Sequence, residues 1–236
     1  MKRSHLFTGL LIALCWSGFS ANAATTVGPG SQFTFDGVDG PLVPGGVVPD
    51  NLAHVSNGAT AFAIDVGHSP PHAISNLNNG VYGNPDSWIG IATRDIDVGG
   101  GNIVNTTFAG VDFAGTGPHR IASFAFGRSN LGDEFADRTT GTYFVQLTLT
   151  ADPDINTADG DWTTIGSIDI SSNAFGDTYR HEYTMNSPLD ATGIRIVTPG
   201  SGTAIDEIEV GVIPEPSTAL FGLSGLLCLV LLRRRK

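Results

Sequence analysis

Thr142-Tyr143-Phe144-Val145-Gln146-Leu147-Thr148-Leu149-Thr150 is the cleanest period-two stretch of the chain. Tyr143, Val145, Leu147 and Leu149 fall on one face, and Gln146, Thr148 and Thr150 on the other, as in a strand laid on a core. Upstream, Ala122, Phe124 and Phe126 repeat the pattern after Phe108, Val111 and Phe113, and earlier still Phe62, Ile64 and Val66 alternate with small or polar residues. Downstream, Ile165 and Ile168, then Ile194 and Ile196, then Ile208 and Val210 continue the series. Turn-forming clusters separate these runs: Asn78-Asn79-Gly80, Gly99-Gly100-Gly101, Ala158-Asp159-Gly160-Asp161 and Pro199-Gly200-Ser201-Gly202. Before the last 25 residues no apolar stripe of helical period persists for three turns, and no internal repeat is present. Many short strands joined by Gly, Asn and Asp turns predict an all-β sandwich or barrel over residues 51–211.

The two ends read differently. Lys2 and Arg3, an apolar core from Leu6 to Trp16, and Ala21-Asn22-Ala23 predict a signal peptide over residues 1–23, cleaved after Ala23. Residues 24–50, rich in Gly and Pro, predict a loosely ordered lead-in in which only Gln32 to Phe35 look like an edge strand. The last segment, 212–236, holds Pro214-Glu215-Pro216, an uncharged run from Ser217 to Leu232, and Arg233-Arg234-Arg235-Lys236. That run, as a helix, reaches only roughly 24 Å, short of a ~30 Å hydrocarbon core. Its terminal cations should stay on the cytoplasmic side.

This triplet, short transmembrane helix and basic cluster resemble the PEP-CTERM sorting signal of Gram-negative bacteria. The resemblance implies an exosortase-type processing enzyme as partner, transient anchoring in the inner membrane, and export to the cell surface, outer membrane or extracellular matrix. The alternative is a plain single-span anchor.

Removing both ends takes away Cys15 and Cys228, the two cysteines, so the expected mature protein has no disulfide framework. It also takes away both lysines. The net charge of the whole chain is already −11, and the arginines left are Arg94, Arg120, Arg128, Arg138, Arg180 and Arg195. An acidic, lysine-free domain is a poor partner for nucleic acid or anionic lipid.

Within residues 51–211 an ordered set of motifs is similar to the discoidin family, also called coagulation factor 5/8 type C or galactose-binding-like domains. The set runs Asn51-Leu52-Ala53, Ala73-Ile74-Ser75-Asn76-Leu77-Asn78-Asn79-Gly80, Ser87-Trp88-Ile89-Gly90, Gly141-Thr142-Tyr143, Trp162-Thr163-Thr164-Ile165-Gly166, Ala191-Thr192-Gly193-Ile194-Arg195-Ile196 and Ile205-Asp206-Glu207-Ile208-Glu209-Val210. The resemblance implies an eight-stranded jelly-roll β-sandwich whose loops at one end bind carbohydrate. It also implies a structural calcium ion (Ca2+) held by the Asn79 side chain, the Glu207 carboxylate and carbonyls near Asn76, Val81, Ser87 and Asp206. Asn79 stands where the family has an acid, so the site has one charge fewer. The other reading has Asn79 supporting a turn before Gly80, with Glu207 meeting Arg195 or solvent.

Other candidates follow from residue chemistry. His119-Arg120 and Arg180-His181 combine a rigid guanidinium fork with an imidazole, a pairing suited to sugar hydroxyls; exposed or packing pairs are the alternative. Trp88 and Trp162, flanked by apolar residues, read as packing residues rather than sugar platforms, and Phe124 and Phe126 as core. His68 and His72 flank Pro70-Pro71, which precludes the helical spacing of a zinc pair. Asp133, Glu134 and Asp137 concentrate charge without a catalytic frame. Asp152, Asp154, Asn156, Asp159 and Asp161 form an oxygen-rich loop, but Thr157 and Thr163 replace the Gly and Glu of an EF-hand. The expectation is an exported, non-enzymatic module that binds carbohydrate or extracellular polysaccharide. A purely structural matrix protein and a polysaccharide-active enzyme are the alternatives.

Overall fold

The computed structural model describes residues 25–38, 51–83, 87–115, 117–128, 136–171 and 179–213. The signal-peptide residues Ala21 and Ala23, the Pro214-Glu215-Pro216 tail, and Asp133 and Glu134 lie outside them, as does the side chain of Asp137. Fourteen strands are present in those residues. A six-stranded sheet runs β1 (Thr25–Val27), β10 (Trp162–Ile170), β9 (Gly141–Thr148), β12 (Gly193–Val197), β7 (Phe108–Asp112), β3 (Thr60–Ala63). A four-stranded sheet runs β14 (Glu207–Val212), β8 (His119–Arg128), β11 (Tyr179–Ala191), β2 (Phe33–Val38). Every pairing is antiparallel. Two small ribbons complete the described fold: β4 (Trp88–Ile89) with β13 (Ala204–Ile205), and β5 (Arg94–Asp97) with β6 (Ile103–Thr106). This is the all-β sandwich expected from the alternation.

The space between the sheets is filled by the predicted inward faces together with Tyr183 of β11, a strand the sequence pattern did not mark. Tyr143, Val145, Ile194 and Ile196 from one sheet meet Phe124, Phe126, Tyr183, Ile208 and Val210 from the other, all almost fully buried. Tyr183 stacks on Phe124 at 4.8 Å and on Phe126 at 6.0 Å, and Phe126 reaches across to Tyr143 at 5.3 Å. Trp88 lies in this core, and Trp162 in a second one described below.

The lead-in departs from expectation. Instead of one loose edge strand, residues 25–38 supply two, one to each sheet: β1 pairs with β10 and β2 with β11. Without them the sandwich would have five and three strands, eight in all. Phe33 explains the difference, because it is buried and packs edge-on against Phe124 at 5.0 Å and Tyr183 at 5.5 Å. Among the described residues, Gly28, Pro29 and Gly30 turn the chain between the sheets, where Gly28 N–H bonds to the Ser167 carbonyl and Gln32 N–H to that of Ile165.

Two further departures have local causes. The Phe62-Ile64-Val66 alternation stops at Ala63, and Val66 is 80% exposed. Asp65 ends the strand by accepting the N–H groups of Gly67, Ile91 and Ala92, which turns the chain away. In β10 the three-residue step from Ile165 to Ile168 reflects a bulge between Thr164 and Gly166 that returns both isoleucines to the core face.

Part of the outer face of the six-stranded sheet is also buried, though Thr26, Asp169 and Thr142 at its β1–β10 end remain exposed. The β5–β6 ribbon lies over it, turned by Gly99, Gly100 and Gly101, which all have positive φ, and contributes Ile96 and Val98 to a second apolar cluster with Phe62, Phe108, Trp162 and Val197. Gln146 and Thr148, the polar face of the opening stretch, are consequently buried rather than solvated.

Phe33→Ala is expected to lower the unfolding free energy by about 3–5 kcal/mol in urea denaturation, as for other buried Phe truncations. A loosely attached lead-in would make the substitution silent.

Candidate functional site

The opening stretch leads directly to a groove. Strand β9 ends at Thr148, and the chain does not return until β10 begins at Trp162. Nearby, β11 breaks register with β8 between Thr184 and Leu189. Pro188 lies in that interruption, where its missing N–H costs no ladder bond. Where the strand ends diverge, a cavity of about 310 Å³ opens. Leu147 and Ile165 form a buried floor, and Leu149, 66% exposed, and Leu189 form apolar walls. Asp161 and Asp190 supply carboxylates, with Gln32 and Thr163 beside them.

The loop that joins β9 to β10, whose ends Leu149 and Asp161 line this groove, is held from the outer face of the sheet. Arg195 is fully buried on the outer face of β12 and donates to Asp159 at 2.9 Å and to Gln146 at 2.6 Å. Its guanidinium lies 4.9 Å from the centre of the Phe108 ring and 4.6 Å from that of Trp162. Burial pulls the guanidinium down to about 10, against the pull of Asp159, so it remains charged near neutrality. Gln146 passes the network to the Asp97 carbonyl and Thr164. Asp159, one of the carboxylates of the oxygen-rich loop, is therefore an anchor, also bonded by Arg94 and the Asp97 N–H. Asp154 is turned onto Asn156 through both carboxylate oxygens. Thr148 donates to the Asp161 carbonyl at 2.8 Å, which ties the groove's edge to the strand end.

The four residues expected to grip sugar do not form one site. Arg120 pairs with Asp190, a groove residue, and His119 with Ala191. Arg180 pairs with Gly127, seven residues along β8 from Arg120, a distance of about 23 Å. Arg120 is exposed and His119 half-buried, its Nε2 2.8 Å from the Ala114 carbonyl oxygen. Arg180 instead makes a bidentate pair with Glu209 (2.9 and 2.5 Å) and bonds Glu182 at 3.1 Å. Burial lowers its pKa, but the two carboxylates outweigh burial and hold it above the ordinary value. His181 is fully buried beside Phe35 and Tyr183. A surface grip on hydroxyls is closed to it, because in the antiparallel strand its side chain takes the core face while its neighbour Arg180 takes the other.

The residues implied for calcium lie together but face one another. Asn79 Oδ1 accepts the Val81 N–H at 2.8 Å, forming the turn before Gly80, whose φ is +78°. Glu207 is fully buried and meets neither Arg195 nor solvent; it accepts the Gly80 N–H at 2.8 Å and the Asn51 amide at 3.2 Å. The Ser87 carbonyl lies 2.9 Å from His72 Nδ1 and accepts from Asn76 at 3.4 Å. Asp206 accepts the Gly83 N–H at 2.8 Å. Calcium requires six to eight converging oxygens, and here N–H donors point at the side-chain oxygens of that set. Among the described residues, no three His, Cys, Asp or Glu side chains group as metal ligands, His68 and His72 included. The set as arranged does not fit a calcium ion. Burial, with Glu209 and Asp206 nearby, pushes the Glu207 carboxyl up to about 9 against the hydrogen bonds from Gly80 and Asn51.

Sequence reasoning did not single out Asn51, Tyr82 or Glu209, which complete this junction. Tyr82 donates to Glu209, and Asn51 Oδ1 accepts the N–H groups of Ala53 and Val210. It also passed over the groove. The available signal was Leu149, a large apolar residue that continues a core face into an oxygen-rich loop.

No family model matches the chain, and no curated protein does. Solved structures similar to it include a fucolectin from striped bass (Morone saxatilis) serum, with 15% identity over 69% of this chain and 49% of that one, TM-score 0.48. Allantoicase from Saccharomyces cerevisiae has 19% identity over 70% of this chain and 44% of that one, TM-score 0.45. The family 32 carbohydrate-binding module of C. perfringens NanJ, solved with galactose, has 15% identity over 68% and 97%, TM-score 0.42. The chain spans about half the length of the fucolectin and of the allantoicase.

Arg195→Ala is expected to cost about 3 kcal/mol of stability by urea denaturation, since it leaves Asp159 and Gln146 without their partner. Asp159→Asn, which keeps an acceptor, should cost less.

A pH dependence follows from His181. Burial pulls its pKa from 6.5 down to about 4. Between those values the unfolded chain binds a proton that the folded chain does not, so His181 favours folding above pH 6.5 and loses that contribution as pH falls through 4, in all about 3 kcal/mol. Asp112 acts in the opposite sense: burial and Asp152 raise its pKa to about 6. Comparing stability from pH 4 to 7 for the native protein and His181→Phe isolates the histidine, and the variant should lose less stability on acidification.

Proposed function

We propose that this chain is an exported, non-catalytic carbohydrate-binding protein whose ligand rests in the groove between Leu149 and Leu189. The groove carries this reading. Its leucines suit the C–H faces of a sugar, and Asp161, Asp190 and Gln32 offer acceptors for hydroxyls at the rim. The ordered motifs that resemble discoidin domains point the same way. The groove is open to water, with Leu149 largely exposed, a poor setting for bond cleavage and an adequate one for weak adhesion. In this reading, Arg120 stands beside Asp190 as a donor to the same ligand.

Export and sorting belong to the same proposal. The leader ending at Ala23 would direct secretion. Pro214-Glu215-Pro216 with its short apolar run and basic end would present the chain to an exosortase-type enzyme, leaving it at the cell surface or in the extracellular polysaccharide matrix. Calcium has no assigned part here, and melting temperatures with calcium and with chelator are expected to coincide. A calcium-dependent rise, lost in Glu207→Ala, would restore the ion to the junction.

A glycan array is the direct test of binding. Dissociation constants should lie in the high micromolar range or above, about −5 kcal/mol or weaker, because a shallow groove leaves sugar hydroxyls competing with water. Leu149→Asp should abolish binding with little loss of stability, and turnover of any polysaccharide would contradict the non-catalytic reading. For sorting, the mass of the mature protein should lack the Arg-Arg-Arg-Lys end, and alanine in place of Pro214, Glu215 and Pro216 should leave an unprocessed membrane form.

A further inference from the structure

We infer that the groove selects saccharides carrying a protonated amine over their neutral counterparts and rejects acidic ones. This deepens the carbohydrate-binding reading and rests on it. Asp161 and Asp190 bring two exposed carboxylates to the groove, and no Lys, Arg or His lines it. The Asp161 side chain is left for a ligand, since the bond from Thr148 uses its backbone carbonyl. Neither carboxylate forms an ion pair with a described residue: Arg94 and Arg195 are turned onto Asp159, and Arg180 onto Glu182 and Glu209. Among the described residues, Arg120, paired in register with Asp190, is the arginine that the strands bring beside the groove, so two negative charges stand against one positive. The surroundings reinforce this sign, because the chain as a whole carries −11. An ammonium on the sugar meets acceptors it can donate to. A uronate carboxylate meets like charge and few N–H donors. The groove is wet and partly screened, so the preference is modest and depends on salt.

The test is titration of the full domain, followed by NMR, with three oligosaccharide probes of similar length: glucosamine oligomers, their N-acetylated neutral form, and a uronate oligomer. At low salt the amine-bearing oligomer should bind about fivefold tighter than the neutral one, with the uronate weakest, and the gap should narrow in about 0.5 M salt. The double variant Asp161→Asn, Asp190→Asn replaces two exposed side chains, so folding should survive. It should remove the difference between the first two probes, and the ratio of the two affinities is the readout, because any loss of hydroxyl acceptors weakens both probes alike. Equal or reversed affinities in the native protein, or a preference that survives the double variant, would overturn the inference and leave the carbohydrate reading standing. No shift at Leu149 or Leu189 with any sugar would instead remove that reading, and this inference with it.

Discussion

A guanidinium with no exposure to solvent has to find its partners inside the protein, and Arg195 organises one whole side of the sandwich through that requirement. Leaving it unpaired would cost several kcal/mol. The structure meets the need with Asp159 and Gln146, and by placing the cation against the rings of Phe108 and Trp162. These contacts explain why the β5–β6 ribbon and the loop after β9 fold down onto a sheet face that strand alternation would leave wet. The part of the outer face around Phe108, Trp162 and Val197 thereby becomes a second core.

The closing strand shows the same logic with the opposite charge. Glu207 and Glu209 alternate with Ile208 and Val210, so the apolar pair enters the main core while the acids point outward from the four-stranded sheet. They stay buried because the loop through Tyr82 covers them. Glu209 is compensated by Arg180 and Tyr82, whereas Glu207 has only neutral donors, Gly80 and Asn51. That difference is why burial raises the Glu207 carboxyl. It also explains why Arg180, a plausible sugar-binding residue on paper, is turned to an internal task.

The groove arises from irregularity. Regular ladders would bring the strand ends together and close the edge. The break in β11 around Pro188, the long connection after β9, and the start of β2 at Phe33 hold them apart. Apolar side chains that regular pairing would cover, Leu149 above all, then face solvent beside two aspartates. Arg195 contributes at a distance, by fixing Asp159 two residues before Asp161.

The sequence by itself determined the all-β class and much of the main core. Alternation at Tyr143-Val145-Leu147, Phe124-Phe126, Ile194-Ile196 and Ile208-Val210 depends on the two-residue period of an extended chain, a local property that neighbouring residues display. It placed Trp88 and Trp162 in packing roles for the same reason, since large apolar surface seeks burial wherever it lies. Only the tertiary structure decided which polar groups those strands bring together. Glu207 meets Gly80 from 127 positions away, Arg195 meets Asp159 across 36, and Arg120 and Arg180 part to opposite ends of β8. Pairing of this kind depends on strand order and register, which no local period encodes. The two edge strands before Val38 belong to the same class, because their place was set by Phe33 finding Phe124 and Tyr183 rather than by their own composition.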